Sequence, residues 1–328
     1  MYLDNQPGYR GTIFNTTAMR FLSFLLSLLF ISCSGMSYAQ NGYADEIRGY
    51  ADSLYRSLEP LQRKAGALSF DDTARLKWNN LPVGLRARAG INIGRMNEAQ
   101  RKLVHRILSA ALSSQGYLKA TGIMHLDDLL NRYYDSLYYG QKIPESTYKM
   151  IRSLQWSHEN YYFAFFGSPG QIPWGIKLEG HHLSVNFTFT ADRIAVTPLF
   201  VGTDPAEYPN SVYAGWRVLG QEEDLGLKFI RMLTPAQRKQ ATKDTVVPGD
   251  IITAAESGRR LVDYWGIKGK DLGRDQKAVL EYMIREFVFN LEYDKAVAEF
   301  GKIRKAGFDN VYFGWIGAYT EEIPHYYI

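Results

Sequence analysis

Polar and apolar residues alternate without interruption between His182 and Thr190, and this pattern constrains the fold more than any other stretch. Successive side chains of a β-strand point to opposite faces, so the two alternating sets belong to two faces. The apolar set comprises Leu183, Val185, Phe187 and Phe189, and the polar set comprises His182, Ser184, Asn186, Thr188 and Thr190. The pattern predicts a half-buried strand with one polar face.

The rest of the chain predicts helices around this strand. Residues 194–198 form a second apolar stretch that ends at a proline, and the short connection predicts an antiparallel hairpin. Apolar residues recur at helical spacing before Tyr139 and after Glu222. Helices flanking a central, mainly antiparallel sheet define an α+β fold, and the length fits a single domain over residues 40–328.

Residues 1–39 have the character of a leader and secretory signal peptide. Arg20 precedes an apolar run over residues 21–31, which is shorter than the roughly 20 apolar residues that cross a bilayer. Small residues ending at Ala39 favour cleavage directly after it, whereas the residues before Cys33 resemble a lipoprotein cleavage site. We therefore expect a periplasmic or extracellular protein, attached to a membrane only if Cys33 carries a lipid.

Composition excludes several functions. The chain has 38 Lys and Arg against 34 Asp and Glu, which is too balanced for nucleic acid to be its main partner. Cys33 is the single cysteine, so neither an internal disulfide nor a cysteine-based zinc site can form. Glycine-rich nucleotide loops and the nucleophile elbow of serine hydrolases are also missing from the sequence. A small-molecule or glycan ligand is compatible with the 23 tyrosines, which can stack on sugar rings.

The densest group of chemically active side chains lies within residues 174–184 and includes two of the six histidines. If a regular strand runs on from Lys177, parity places Glu179 and His181 on the apolar face and His182 on the polar face. A buried carboxylate and imidazole must be paired, bind a metal or line a pocket, because an unpaired buried charge is unfavourable. Three roles remain open: a structural hydrogen bond, a catalytic acid–base pair, or a site for a divalent metal.

Candidate roles for individual residues follow from this cluster. The catalytic candidates are Glu179, His181 and His182, and the substrate-binding candidates are Trp174, Ser184, Asn186 and Trp315. A metal would be held by His181 together with His325, which follows the strand of Trp315. Arg86 and Arg88 form either an anion clamp or a solvated charged turn.

One type of helix start occurs repeatedly. Residues 96–101, 233–238 and 272–277 all place a glutamine where it can reach back to the first turn. The recurrence indicates either an internal repeat of helical units or merely the similarity of good helix caps, which are common.

Several motifs in a fixed order resemble a known family. They are Asn80–Pro82 with Arg86–Gly90, Phe166–Pro169, Trp174–Gly175 leading into Glu179–Phe187, Thr197–Ala206, Phe313–Gly317 and His325–Tyr327. Together they resemble the exported family that carries domain of unknown function 3500, over nearly all of residues 40–328. The resemblance implies one domain around the His-His strand and implies no activity. Members usually continue past His325–Tyr327 with further acidic and histidine residues, so we expect a C-terminally shortened copy whose site lacks any ligands found there.

Two functional hypotheses follow. The first is an exported hydrolase that depends on a metal or on acid–base chemistry, centred on Glu179 and His181. The second is a non-catalytic envelope protein that binds glycans or other ligands through its tyrosines. The enzyme requires Glu179 and His181 within hydrogen-bond distance in a concave pocket, whereas the binding protein requires an exposed aromatic platform.

Overall fold

A computed structural model describes residues 42–254, 261 and 263–328. The predicted leader, both cleavage sites and Cys33 lie outside the described residues. Tyr43–Ile328 form one compact unit. In the described part of the chain, no helix is both long enough and apolar enough to cross a membrane.

Helices and strands are distributed along the whole described chain. The helices are α1 (residues 42–56), α2 (Pro60–Gly66), α3 (Glu98–Ala111), α4 (Ser114–Tyr139), α5 (Glu145–Ser153), α6 (Gly220–Met232), α7 (Pro235–Ala241), α8 (Arg274–Val288) and α9 (Tyr293–Ala306). The strands are β1 (Ala67–Leu68), β2 (Ile91–Asn92), β3 (Tyr162–Phe166), β4 (Trp174–Gly180), β5 (Leu183–Phe189), β6 (Ile194–Ala195), β7 (Leu199–Val201), β8 (Thr242–Asp244), β9 (Ile267–Lys268), β10 (Tyr312–Phe313), β11 (Trp315–Gly317) and β12 (His325–Tyr327).

The larger sheet has the order β1-β3-β4-β5-β6, with β2 also paired to β3 and β7 to β5. Its pairings are antiparallel except for β1 with β3. The mixture of helices and a mainly antiparallel sheet is the predicted α+β fold. The predicted strand is β5, and its hairpin with β6 is also present.

Both faces of β4 and β5 are buried, so the prediction of a strand that is buried on one face only is wrong. Lys177, Glu179, Ser184 and Asn186 are all buried, although they belong to the polar face. Residues 73–90 cover this face, and their backbone hydrogen-bonds to its side chains. Alternation identifies the two faces of a strand, but it does not reveal which distant segment packs on each face.

The two halves of the described chain repeat the same helical framework. Helices α2 and α7 both begin with Pro-x-Gln-Arg-Lys. The side-chain amides of Gln62 and Gln100 hydrogen-bond to each other, and those of Gln237 and Gln276 do the same in the second half. Each pair also makes equivalent backbone contacts, to the carbonyls of Ser57 and Arg95 in the first half and of Met232 and Asp271 in the second.

The strands repeat as well. Strand β1 lies parallel to β3 as β8 lies parallel to β11, and β2 pairs with β3 as β9 pairs with β10. Gly90 and Gly266 both have a positive φ, and a Cβ at either would lie under 3 Å from the carbonyl oxygen of Phe163 or Phe313. Only glycine tolerates both constraints. The recurring helix start is therefore an internal repeat, in which residues 96–101 correspond to 272–277.

The repeats meet through reciprocal backbone hydrogen bonds. The N–H of Ser113 donates to Asn290 at 3.1 Å, and the N–H of Glu292 donates to Ala111 at 3.1 Å. These bonds flank an antiparallel bridge between Leu112 and Leu291. A local pseudo-two-fold axis thus relates the helix junctions of the two halves.

Candidate active site

His181 and His182 form the two-residue turn between β4 and β5 rather than part of a continuous strand. His182 has a φ of +55°, a left-handed conformation that is uncommon outside glycine. The register pairs Glu179 with Ser184, so Glu179 lies on the polar face and not on the face of Leu183. The parity prediction for Glu179 is wrong because the strand ends before His181.

Glu179 belongs to a buried ion network. One of its oxygens lies 2.9 Å from Nε of Arg88 and accepts the backbone N–H of Asn79 at 2.9 Å. Its other oxygen lies 2.6 Å from Nζ of Lys177. The predicted pair between Glu179 and His181 is therefore wrong: Glu179 ties residues 73–90 to the sheet.

Backbone carbonyls occupy the remaining donors of the two cations. Nζ of Lys177 donates to the carbonyls of Ala74 at 2.7 Å and Lys77 at 2.8 Å. The guanidinium of Arg88 donates to the carbonyls of Asn79, Leu81, Gly180 and Arg86. Burial lowers the pKa of Arg88, and the nearby carboxylate of Glu179 opposes this effect. These side chains fix a loop in place, which is the structural role left open for Glu179.

His181 instead pairs with a carboxylate from α4. Its Nδ1 lies 2.6 Å from Oδ1 of Asp127. The hydroxyl of Tyr161 donates to the other Asp127 oxygen at 2.9 Å and lies 2.8 Å from the backbone oxygen of His181. Because Nδ1 is held by Asp127, Nε2 is the ring nitrogen that remains for a ligand.

Burial perturbs both members of this pair, which are 5% (His181) and 3% (Asp127) exposed. Loss of solvation raises the pKa of Asp127 to about 8, although the hydrogen bond from Tyr161 opposes the rise. The same loss of solvation lowers the pKa of His181 to about 4. At neutral pH the carboxyl is therefore protonated and the imidazole is neutral, so the pair as a whole is uncharged.

Aromatic rings surround the imidazole of His181. The ring of His182 stacks on it with centroids 4.0 Å apart, and Trp156 stacks at 6.1 Å. Burial, together with the neighbouring His181, lowers the pKa of His182 to about 4. Asp204 is exposed, and its negative charge acts in the opposite direction on both histidines. The site therefore combines two neutral imidazoles with a solvent-facing carboxylate.

The predicted substrate-binding residues of the first half are part of the packed sheet. The amide of Asn186 donates to the hydroxyl of Ser184 at 3.0 Å and to the carbonyl of Pro198 at 2.7 Å. Trp174 stacks on Phe189 at 4.2 Å within the core. It begins β4 whereas His181 follows the end of β4, a separation of about 20 Å at roughly 3.3 Å per residue. Trp174 therefore does not line the His181 site.

Trp315 and His325 lie together in the second half. Their ring centroids lie 5.1 Å apart, and Trp315 is buried in a hydrophobic cluster formed by the second half of the chain. Nδ1 of His325 lies 3.0 Å from the carbonyl of Ile323. The structure thus places His325 on a different sheet from His181, and it does not support the predicted ligand pair. Within the described ranges, no three histidine, cysteine or acidic residues are grouped so as to hold a metal ion.

Sequence reasoning missed Asp127, although a signal was available. Asp127 occurs at helical spacing between the buried residues Ile123 and Leu130, so a carboxylate interrupts an apolar stripe. The adjacent Asp128 makes a similar but exposed pair with His158. Consecutive carboxylates on α4 therefore hold one buried and one exposed histidine.

Comparison with known proteins identifies the family but no activity. The model of a family of proteins of unknown function, DUF3500, matches residues 40–328, and the chain belongs to that family. This result confirms the resemblance drawn from the motifs. No curated protein and no solved structure matched the chain.

Proposed function

We propose that the protein is an exported hydrolase that uses acid–base chemistry, with Nε2 of His181 as the group that transfers the proton. The observation that carries the proposal is the buried His181–Asp127 pair, with its 2.6 Å separation and opposite pKa shifts. Strongly perturbed titratable pairs are concentrated at functional sites. The neighbouring His158–Asp128 pair differs in burial, since the side chain of His158 is 54% exposed.

The proposed chemistry follows from the proton count of the pair. Below about pH 8 the pair retains the Asp127 proton, and Nε2–H of His181 is a donor. When Nε2–H is transferred to a leaving group, the Asp127 proton can move to Nδ1, so that no imidazolide forms. Above about pH 8 the pair has lost this proton, and Nε2 can accept one from water. Tyr161 fixes the position of Asp127 and orients the imidazole.

The test combines a titration with an activity screen. We expect the ring-nitrogen NMR shifts of His181 to report an apparent pKa near 8, and Asp127→Asn to abolish that transition. Hydrolysis of chromogenic esters, phosphates and glycosides is then compared between the wild type and His181→Gln. His158→Gln is the matched control, because it removes an exposed histidine paired with a neighbouring carboxylate. An ordinary pKa near 6.5 for His181, or hydrolysis that is unchanged in His181→Gln, would contradict the proposal.

A second candidate function, glycan binding, is favoured by a separate aromatic surface at the end of α4. Tyr138 and Tyr148 stack with centroids 4.1 Å apart, and Tyr139 beside them is 76% exposed. Tyr138 and Tyr139 border an open depression of about 650 Å³ that continues to Pro144. Affinity electrophoresis tests this function, because a polysaccharide in the gel slows the migration of a protein that binds it. Tyr139→Ala should abolish this retardation. Tyr293→Ala, at another exposed tyrosine, should leave the retardation unchanged.

A further inference from the structure

We propose that a cavity beneath residues 73–89 is a binding site for a small organic acid, whose carboxylate lies among basic side chains and whose ring lies against Trp78. The cavity has a volume of about 300 Å³ and opens where this segment crosses the polar face of β4. Its charged and polar lining consists of Thr73, Lys77, Asn79, Arg86, Arg88, Lys177 and Glu179. This site goes beyond the proposed function, since it involves no property of His181.

The charged side chains that line the cavity are mostly positive. The lining contains four cationic side chains and one carboxylate, Glu179. Lys177 and Arg88 at the floor are both nearly inaccessible to solvent, and Glu179 can neutralise only one of them. Arg86 is close enough for its charge to lower the pKa of Arg88 further. Excess positive charge in a poorly solvated site is unfavourable, and a bound anion would compensate it.

The two buried cations of the cavity are preorganised. The donors of Lys177 and Arg88 are committed to Glu179 and to backbone carbonyls, so these two side chains are held in place before any ligand arrives. They supply a fixed positive potential rather than direct contacts. Lys77 and Arg86 line the cavity and are exposed at its rim, where they meet an entering ligand first. A rigid, preformed field reduces the ordering cost of binding.

One wall of the cavity is a flat aromatic ring. Trp78 lines the cavity and is stacked on Phe200 with ring centroids 4.7 Å apart, which fixes the orientation of the indole. A flat aromatic wall beside a cationic rim suits a ring that carries a carboxylate, such as a uronic acid. A cavity of about 300 Å³ lies at the small end of ligand sites and matches one sugar ring.

The experiment is a calorimetric titration of the whole protein with glucuronate, with glucose as the uncharged probe and inorganic phosphate as the non-organic anion. We expect saturable binding of glucuronate that weakens as salt is added, and weaker or undetectable binding of the other two probes. Arg86→Ala and Lys77→Ala should each raise the dissociation constant of glucuronate by roughly tenfold, the usual effect of losing a charged hydrogen bond. Lys64→Ala, an exposed lysine of α2 outside the cavity, should leave it unchanged.

Three outcomes of the titrations would contradict this binding site. The proposal is overturned if glucuronate does not bind saturably, if glucose or phosphate binds equally well, or if neither rim substitution weakens binding. His181→Gln is expected to bind glucuronate as the wild type does, so failure of this site and failure of the proposed hydrolase are separate results. Circular dichroism of each variant verifies that the loop substitutions leave the fold intact.

Discussion

Replacing Asp127 by Asn should reverse the pH dependence of stability that the buried pair contributes. The pKa of Asp127 is raised in the folded state, so its contribution is present below the unfolded value and is lost as pH rises through about 8. The pKa of His181 is depressed to about 4, so its contribution is lost as pH falls below the ordinary value of 6.5. The two residues therefore act in opposite directions.

The magnitude follows from counting protons. Between about pH 4 and pH 6.5, the folded pair binds one proton on Asp127 and the unfolded chain binds one on His181, so their effects cancel. From 6.5 to about 8 the folded pair keeps its proton while the unfolded chain has none, and stability falls by about 2 kcal/mol. In Asp127→Asn only His181 titrates. Stability should then rise by about 3 kcal/mol between about pH 4 and 6.5 and stay level above.

The assay is urea-induced unfolding followed by circular dichroism at intervals between about pH 4 and pH 8. The curve of the variant is subtracted from that of the wild type, so that all other titrating groups cancel. Asp45→Asn is the control, because it removes an exposed carboxylate that pairs with Arg48 and is not among the charges acting on Asp127 or His181; it should leave the wild-type profile unchanged. Parallel profiles for Asp127→Asn and the wild type would refute the reasoning, since the folded pair would then titrate like the unfolded chain.

Two further predictions concern the framework around the site. Glu179→Gln should lower the free energy of unfolding by about 3–5 kcal/mol, because it leaves two buried cations without their carboxylate. The control Glu46→Gln, at an exposed position, should change the free energy of unfolding by less than about 0.5 kcal/mol. Equal urea midpoints for the two variants would contradict the ion network. Gln100→Ala and Gln276→Ala should each lower the free energy of unfolding, measured in urea, by about 1–3 kcal/mol. The decrease should be larger for Gln100, which is 1% exposed. A decrease for only one of the two variants would argue against equivalent repeats.

The sequence predicted those features that depend on local periodicity. The alternation over Leu183–Phe189 identified β5, and helical spacing predicted the α+β class. The recurring helix start at residues 96–101, 233–238 and 272–277 was also visible in the sequence. The sequence did not show that this start marks an internal repeat. A helix cap looks the same whether its glutamine reaches only its own first turn or also a glutamine on another helix.

The candidate site depended on contacts between residues far apart in the chain. His181 was recognised as a chemically active residue, but its partner Asp127 precedes it by more than fifty positions and lies on a helix. The parity of a continuous strand placed Glu179 on the wrong face, because the strand ends at a two-residue turn. Residue identity therefore determined which groups are available for acid–base chemistry. The tertiary structure alone decided which carboxylate faces the imidazole, because burial and pairing arise only where separate elements pack together.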